Sequence, residues 1–307
     1  MNGINLRLAH YVRDGSTRVG IVHEESLFDF QDVANRLQLS DLRAMLTIDA
    51  LLASGRLSAL LTAKNLTENV QSLPVDSVTL RSPILNPEKI LLMAVNYHSH
   101  SKEWSQKDST PTEPYLFTKF RNTLIGPGEP VLIPRISAQA DWEVELAVII
   151  GKAGKNIAKK DAMSYVAGYA VSNDISFRDW QFSTRQPDGT TKLGMNWVKG
   201  KGLDSSFPLG PWLVTADEVP NPHELEISLT VNGKTRQQST TGDMVFRIDS
   251  IIEYASKGMT LTPGDIISTG TPQGVAAFTG GPYLKDGDIL EGTIGRIGTL
   301  RNPVRAE

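Results

Sequence analysis

The segment DWEVELAVIIGK, residues 141–152, constrains the fold of this chain more than any other part of the sequence. Side chains of a β-strand alternate between its two faces, so Glu143 and Glu145 lie on the same face. The continuation, residues 146–150, is apolar on both faces, which is typical of a strand inside a sheet. The segment therefore predicts a buried central strand that begins with two neighbouring carboxylates.

Neighbouring buried carboxylates require compensation, because an unpaired buried carboxylate is strongly unfavourable. A third acid, Asp174, follows the apolar residues 165–171, which predict a partner strand. Three oxygen ligands in a chain without cysteine suit magnesium, manganese or calcium better than zinc. The alternative is that Glu143 and Glu145 lie on the solvated face of an amphipathic strand, and these residues alone leave both interpretations open.

Composition and charge exclude several classes of protein. The 307 residues are 40% hydrophobic and 21% charged, as in an ordinary globular protein, and are enough for a core of their own. A net charge of -3 with mixed signs argues against nucleic-acid binding, and no apolar segment approaches the length of a membrane-spanning helix. The absence of cysteine excludes disulfides and a cysteine nucleophile, and we expect a cytoplasmic enzyme.

Two regions differ in their hydrophobic pattern. Residues 6–30 alternate apolar and polar positions around short turns, which predicts an antiparallel meander, and residues 31–65 change to helical spacing. A polar break with a proline, residues 72–76, separates a predicted N-terminal α/β cap, 1–75, from a main domain, 76–307. The main domain contains many short strands and few helices, so we predict a β-rich α+β fold.

His100 and Glu103 are the first candidate catalytic pair. A separation of three residues places them side by side on a helical turn. A carboxylate beside an imidazole fixes its tautomer and stabilises the protonated ring, which a general base requires. The alternative is a surface ion pair. Residues 101–113 are polar and end in a proline-containing segment, so they are predicted to form a mobile lid.

A second group of polar residues follows the third acid. Arg178 and Gln181 come four and seven residues after Asp174, so a helical turn would present all three on one face. Arg178 could bind a substrate carboxylate or hold one of the metal-binding carboxylates in place.

Two glycine-containing segments complete the candidate site. Lys199 and Lys201 lie among glycines, where a ligand can approach closely, although lysines in such a segment are often only solvated. The segment STGTPQG, residues 268–274, can offer backbone N–H groups and the Thr271 hydroxyl to an anion.

Six motifs in order make the main domain, residues 81–304, resemble the fumarylacetoacetate hydrolase family: NYHSHSKE, WEVELAVIIGK, DISFRDWQ, WVKGKGLD, STGTPQGV and IGTLRNPV. The resemblance implies a mixed β-sandwich roll for the catalytic domain, a homodimer, and magnesium or manganese as the cofactor, with calcium also acceptable. The N-terminal residues resemble the cap of the family's longer members. Two positions near the expected pocket depart from the family's pattern, Ala94 and Gly202, and they can change which substrate fits.

The resemblance also implies roles for individual residues. The implied metal ligands are Glu143, Glu145 and Asp174. The implied catalytic residues are His100, Glu103 and Lys201. The implied substrate contacts are Tyr97, Arg178, Gln181, Gly270 and Thr271.

The family's reactions share an enolate of a 2-oxo acid, which a divalent cation can stabilise. Our leading hypothesis is hydrolytic cleavage of a carbon–carbon bond in a β-diketo acid such as an acylpyruvate or a fumarylpyruvate-like compound. Decarboxylation or tautomerisation of oxaloacetate, and isomerisation of a hydroxymuconate-type diene, are alternatives on the same site. A binding protein with a vestigial pocket is the alternative of another class. In each enzymatic case the partner is a small 2-oxo acid.

Overall fold

A computed structural model describes residues 6–62, 66–104, 110–184, 186, 188 and 194–307 of the chain and is dominated by strands. In chain order, the strands are β1 Arg7–Arg13, β2 Ser16–His23, β3 Ser26–Asp29, β4 Ser72–Pro74, β5 Thr79–Arg81, β6 Ile90–Met93, β7 Leu116–Lys119, β8 Leu124–Ile125, β9 Val131–Ile133, β10 Ala140–Asp141, β11 Val144–Ile150, β12 Val166–Asn173, β13 Ser176–Phe177, β14 Phe207–Thr215, β15 Glu226–Val231, β16 Lys234–Thr240, β17 Ile266–Ser268, β18 Ile289–Ile294 and β19 Gly298–Ala306. The α-helices are α1 Phe30–Arg36, α2 Ile48–Ala53, α3 Leu57–Leu61, α4 His98–Trp104, α5 Arg178–Gln181, α6 Trp197–Lys201, α7 Ile248–Ser256 and α8 Ala276–Thr279. Within the described ranges, no helix is long and apolar enough to cross a membrane.

The predicted central strand is β11, and all of its residues are buried. It lies inside the larger sheet, whose main path runs β4-β3-β2-β1-β14-β12-β11-β17-β6-β7. Its antiparallel partner β12 contains most of the second apolar segment, with Val144 opposite Asn173. This pairing brings the start of β11 and the end of β12 together, which is where the three acids of the sequence lie.

A second sheet, in the order β16-β15-β18-β19-β9, packs against the face of these central strands. Gly292 in β18 marks the closest approach, because a Cβ atom there would lie 3.1 Å from Val144 and 3.4 Å from Val171. The two sheets share one hydrophobic core. The predicted β-rich α+β sandwich is therefore confirmed.

The N-terminal meander forms as predicted, and it joins the larger sheet directly. β1 pairs with β2 and also with β14, where Leu8 lies opposite Leu213. Residues 72–74 of the predicted break form β4, which pairs with β3. Hydrogen bonding thus continues from the N-terminal region into the main domain, and a division at residue 75 stays a prediction.

His10 connects the N-terminal helices to the sheet. Its ring is fully buried in β1, where Nε2 accepts a hydrogen bond from the Ile48 N–H at 2.9 Å and Nδ1 donates to the Ser82 carbonyl at 2.9 Å. Burial lowers the pKa of His10, although the Ser82 carbonyl and Asp49 act in the opposite direction. The ring is therefore held neutral, with Nε2 as the acceptor.

This arrangement predicts a loss of stability in mild acid. In the unfolded chain the histidine pKa is about 6.5, so the unfolded chain binds a proton more readily than the folded chain. The contribution of neutral His10 to the free energy of unfolding is therefore present above that pH and is lost as the pH falls. The free energy of unfolding should decrease below pH ~6.5 by up to about 1.4 kcal/mol per pH unit for this group. His10→Gln should flatten the dependence in denaturant titrations, and His23→Gln is the matched control. An equal slope in the parent and His10→Gln would contradict the prediction.

Candidate active site

Three buried carboxylates converge where β11 and β12 meet. Glu143 precedes β11, Glu145 lies within it, and Asp174 follows β12. One ligand oxygen from each lies within 4.8 Å of the others. The main chain fixes this arrangement, because the Asp174 N–H donates to the Glu143 carbonyl at 2.8 Å. Buried carboxylate oxygens are the donors that magnesium and manganese prefer, so this cluster fits a divalent cation and not a solvated strand face.

Lys201 supplies positive charge to the same cluster. Its Nζ lies 2.9 Å from Glu143 Oε2, 2.6 Å from Asp174 Oδ2 and 2.5 Å from the Ser176 hydroxyl. Burial alone would raise the pKa of Glu143, but Lys201 and Arg178 hold it well below its usual range. Helix α6 places Lys201 inside the site. Lys199 lies instead over the Trp180 ring, 5.2 Å from its centroid, and is not among the described residues that line the pocket.

Glu145 has a different environment from Glu143. Burial, together with the charges of Asp174 and Glu143, raises the pKa of Glu145 well above its ordinary value. Its Oε2 accepts hydrogen bonds from the Ser268 hydroxyl at 2.5 Å and the Gly270 N–H at 2.9 Å. These donors, from the end of β17 and the glycine-containing segment that follows it, fix the position of the carboxyl group.

Arg178 lies in α5 and holds carboxylates of the protein itself. Its Nη2 lies 2.5 Å from Glu143 Oε1, its Nε lies 2.9 Å from Asp141 Oδ2, and its Nη1 donates to Gln181 Oε1 at 2.8 Å. The geometry therefore matches the second of the two roles considered for this arginine. Arg178 and Gln181 also line the pocket, and their contact with substrate stays a prediction.

His100 and Glu103 form a hydrogen-bonded pair on α4. Nδ1 of His100 lies 3.1 Å from Glu103 Oε2, while Glu103 Oε1 accepts the Gly274 N–H at 2.9 Å. The imidazole is buried and lies against Phe278, with ring centroids 5.7 Å apart. Because Nδ1 binds a carboxylate, the lone pair of the neutral ring lies on Nε2. The pair is thus partly enclosed and positioned for proton transfer, unlike a surface ion pair. Of the predicted lid, residues 105–109 lie outside the described residues.

Contact of the remaining predicted residues, Thr271, Gly270 and Tyr97, with substrate stays a prediction. Thr271 lines the pocket and donates its hydroxyl to the Val144 carbonyl at 2.9 Å. Gly270 has φ +89°, and a Cβ there would lie 2.8 Å from the Asn96 side chain, so the turn requires glycine. Tyr97 is fully buried, and its hydroxyl has no hydrogen-bond partner among the described residues.

Two charged residues that the sequence analysis did not select support the site. Asp141 is fully buried and accepts the N–H groups of Ala276 at 2.7 Å and Ala277 at 3.0 Å, besides binding Arg178. Lys119, at the end of β7, forms an ion pair with Asp174 Oδ1 at 3.0 Å. Its Nζ also donates to three backbone carbonyls, at 2.6–2.9 Å: Ile175, Lys201 and Ser206. The available sequence signal for Lys119 was a lysine at the end of the short strand β7.

Lys119→Met is expected to destabilise the protein strongly. Removing one partner of a buried ion pair leaves the other uncompensated and typically costs about 3–5 kcal/mol. Denaturant titration should show a decrease of that size in the free energy of unfolding, while Lys102→Met, at an exposed position of α4, should change little. A loss below about 1 kcal/mol, in the range of a surface pair, would show that the Lys119 ammonium is not needed to hold Asp174.

A pocket of about 390 Å³ is lined by several of the selected residues: His100, Glu143, Glu145, Arg178, Gln181, Lys201 and Thr271. One end carries the site residues, including His100, Glu143 and Lys201. The rest of the lining is mostly apolar and includes Phe117 and Trp197. The pocket thus combines a charged end with an apolar wall, which is typical of small-molecule sites.

Residues 89–305 match the family model described as fumarylacetoacetate (FAA) hydrolase C-terminal, more than two thirds of the chain. The chain belongs to the fumarylacetoacetate hydrolase family. It is 45% identical over 249 residues to "Oxaloacetate tautomerase fahd2, mitochondrial" of Xenopus laevis, covering 80% of this chain and 75% of the relative.

Two solved structures of this family share the whole fold. Fumarylacetoacetate hydrolase from Exiguobacterium antarcticum superposes with a TM-score of 0.80 at 30% identity, covering 98% of this chain and 100% of the other. Maleylpyruvate hydrolase from Sphingobium sp. SYK-6, in complex with manganese(II) and pyruvate, gives a TM-score of 0.75 at 31% identity, with 98% and 99% coverage.

The expected cytoplasmic location is contradicted by these comparisons. The Xenopus laevis member of the fumarylacetoacetate hydrolase family is mitochondrial. The prediction was wrong because it rested on the absence of cysteine, which excludes disulfides but does not distinguish one compartment that lacks disulfides from another.

Proposed function

We propose that this chain is a divalent-metal-dependent enzyme that interconverts the enol and keto forms of a 2-oxo acid, with oxaloacetate as a substrate. The observation that carries the proposal is that His100, which is paired with Glu103, lines one pocket with Glu143 and Glu145 of the three-carboxylate cluster. The similarity to an oxaloacetate tautomerase at 45% identity supports this reaction over the alternatives. An intact proton-transfer pair argues against a vestigial pocket.

Glu143, Glu145 and Asp174 would hold the cation in this proposal. A divalent ion there supplies Lewis acidity that stabilises negative charge developing on a substrate oxygen. We propose magnesium or manganese, because the donors are carboxylate oxygens and a structural relative contains manganese. We also propose a homodimer, which the family resemblance implies.

Proton transfer is assigned to His100. In the enol-to-keto direction the enol O–H bond breaks and a C3–H bond forms, so one proton leaves oxygen and one reaches carbon. Nε2 can accept the first proton because Nδ1 is bound to Glu103. The protonated ring can then return a proton to C3, and the Glu103 carboxylate stabilises its positive charge. Lys201 contributes a buried positive charge next to Glu143 and Asp174.

Hydrolysis of an acylpyruvate is the second candidate, and the similarity to a maleylpyruvate hydrolase favours it. Here His100 takes a proton from water, hydroxide adds to the distal carbonyl, and the bond between that carbonyl and C3 breaks. The products are pyruvate, after protonation of its enolate, and a carboxylic acid. Oxaloacetate decarboxylation and hydroxymuconate-type isomerisation would use the same enolate chemistry.

A substrate panel tests the proposed function. With magnesium or manganese present, the protein should accelerate the decay of the ultraviolet absorbance of enol-oxaloacetate without releasing carbon dioxide. Acetylpyruvate hydrolysis, oxaloacetate decarboxylation and diene isomerisation are followed in parallel by product analysis. Hydrolysis without any acceleration of ketonisation would favour the second candidate, and inactivity on the whole panel would contradict both.

A further inference from the structure

Three aromatic side chains form a continuous wall along one side of the pocket. We name Tyr115, Phe117 and Trp197 the aromatic wall. Phe117 and Trp197 are stacked, with ring centroids 4.6 Å apart and planes 22° apart, and Tyr115 lies 5.9 Å from Trp197. All three line the pocket.

The aromatic wall begins at the reacting end of the pocket. The Lys201 Nζ lies 5.2 Å from the centroid of the Phe117 ring, within cation–π distance. The exposed fraction of the side chains increases away from this end. Lys201 is buried, Phe117 and Trp197 are partly buried, and Tyr115 is 53% exposed. Aromatic faces left uncovered inside a concave pocket are the kind of surface that an apolar ligand group covers.

The aromatic wall carries no charge of its own that could bind a substrate carboxylate. Among the described residues that line the pocket, each cationic or imidazole side chain already has a carboxylate partner: Glu103 for His100, Asp141 and Glu143 for Arg178, and Glu143 and Asp174 for Lys201. A carboxylate placed against the aromatic wall would lose hydration without gaining a cation in the described part of the pocket. An apolar group there has no such cost.

We propose that the aromatic wall is a specificity-determining subsite for an aryl or other apolar substituent on C3 of the substrate, so that arylpyruvates are turned over. This inference rests on the proposed tautomerisation and names the substrate class of the same site. The step is unchanged: the enol O–H bond of an arylpyruvate breaks, a C3–H bond forms, and no other atom is gained or lost. The aryl ring would pack against Phe117 and Trp197, because offset stacking between aromatic rings is favourable.

The test compares phenylpyruvate with oxaloacetate in matched variants. Trp197→Ala should lower the ratio of kcat/KM for enol-phenylpyruvate to kcat/KM for enol-oxaloacetate by about 10–100-fold, the range that apolar contacts supply. Phe117→Leu should shift the ratio in the same direction. Val198→Ala is the control, since Val198 lies in the same helix and is 57% exposed outside the pocket lining. Circular dichroism checks that each variant is folded.

Two readouts separate this inference from the proposed function. If Trp197→Ala lowers both kcat/KM values by the same factor, the aromatic wall does not distinguish between substituents. The inference is then overturned, but the proposed tautomerase activity is not. If neither enol is turned over by the parent protein, phenyllactate binding is measured by calorimetry. Weaker phenyllactate binding to Trp197→Ala would then support the subsite while the proposed reaction fails, and equal binding would overturn both.

Discussion

Replacing His100 with alanine is expected to lower the ketonisation of enol-oxaloacetate by about 10²–10⁴-fold, the usual contribution of a positioned general base. The variant removes Nε2 but leaves Glu143, Glu145 and Asp174 in place, so calorimetry should show an unchanged affinity for manganese. Glu103→Gln should cause a smaller loss, because it keeps the ring and removes only the charge that stabilises its protonated form.

The control for this experiment lies two residues away. His98 belongs to the same helix but is exposed, so His98→Ala should retain the parental rate. Oxaloacetate decarboxylation provides a second comparison, because loss of carbon dioxide generates the enolate without a base. His100→Ala should therefore keep more of any decarboxylase activity than of its tautomerase activity. Parental ketonisation by both His100→Ala and Glu103→Gln would remove the pair from the mechanism.

Local periodicity was sufficient to predict much of the site. The alternation of strand side chains placed Glu143 and Glu145 on one face, and helical spacing placed His100 beside Glu103. Both relations depend on residues close in sequence, whose relative positions follow from the element type alone. The same reasoning identified β11 as a buried strand, because every position of its apolar segment is covered by neighbours.

Contacts between distant segments could not be predicted in this way. Lys119 reaches Asp174 only because the chain brings β7 and the end of β12 together across 55 positions of sequence. Asp141 caps α8, which lies about 135 residues away, while it holds Arg178. The pairing of β1 with β14 likewise joins strands that are far apart in sequence, so no local pattern could predict it. These are long-range pairings, so the sequence analysis could name the candidate ligands and Arg178 but not Lys119 or Asp141, which support them.

Removing the divalent cation is expected to abolish turnover of both enol-oxaloacetate and acylpyruvates. The three carboxylates are buried around a small volume, and their donor set suits magnesium or manganese. Exhaustive EDTA treatment followed by removal of the chelator should give an inactive protein, and added manganese should restore the rate. Circular dichroism before and after treatment shows whether the fold survives, which separates loss of the cation from unfolding.

Glu145→Gln provides the matching substitution, since it keeps the size of the side chain and removes its charge. Loss of an outer partner of a metal ligand already costs about 10–100-fold in affinity, so loss of a ligand should weaken manganese binding by at least about 10²-fold. Glu291→Gln, in β18 outside the three-carboxylate cluster, is the control. The activity of Glu145→Gln at low manganese concentration should fall in proportion to the fraction of protein that has manganese bound. It should recover partly at high manganese concentration. Full activity of the EDTA-treated protein, or parental manganese affinity in Glu145→Gln, would show that these carboxylates do not hold a catalytic cation and that the neighbouring lysines and arginine compensate their charge.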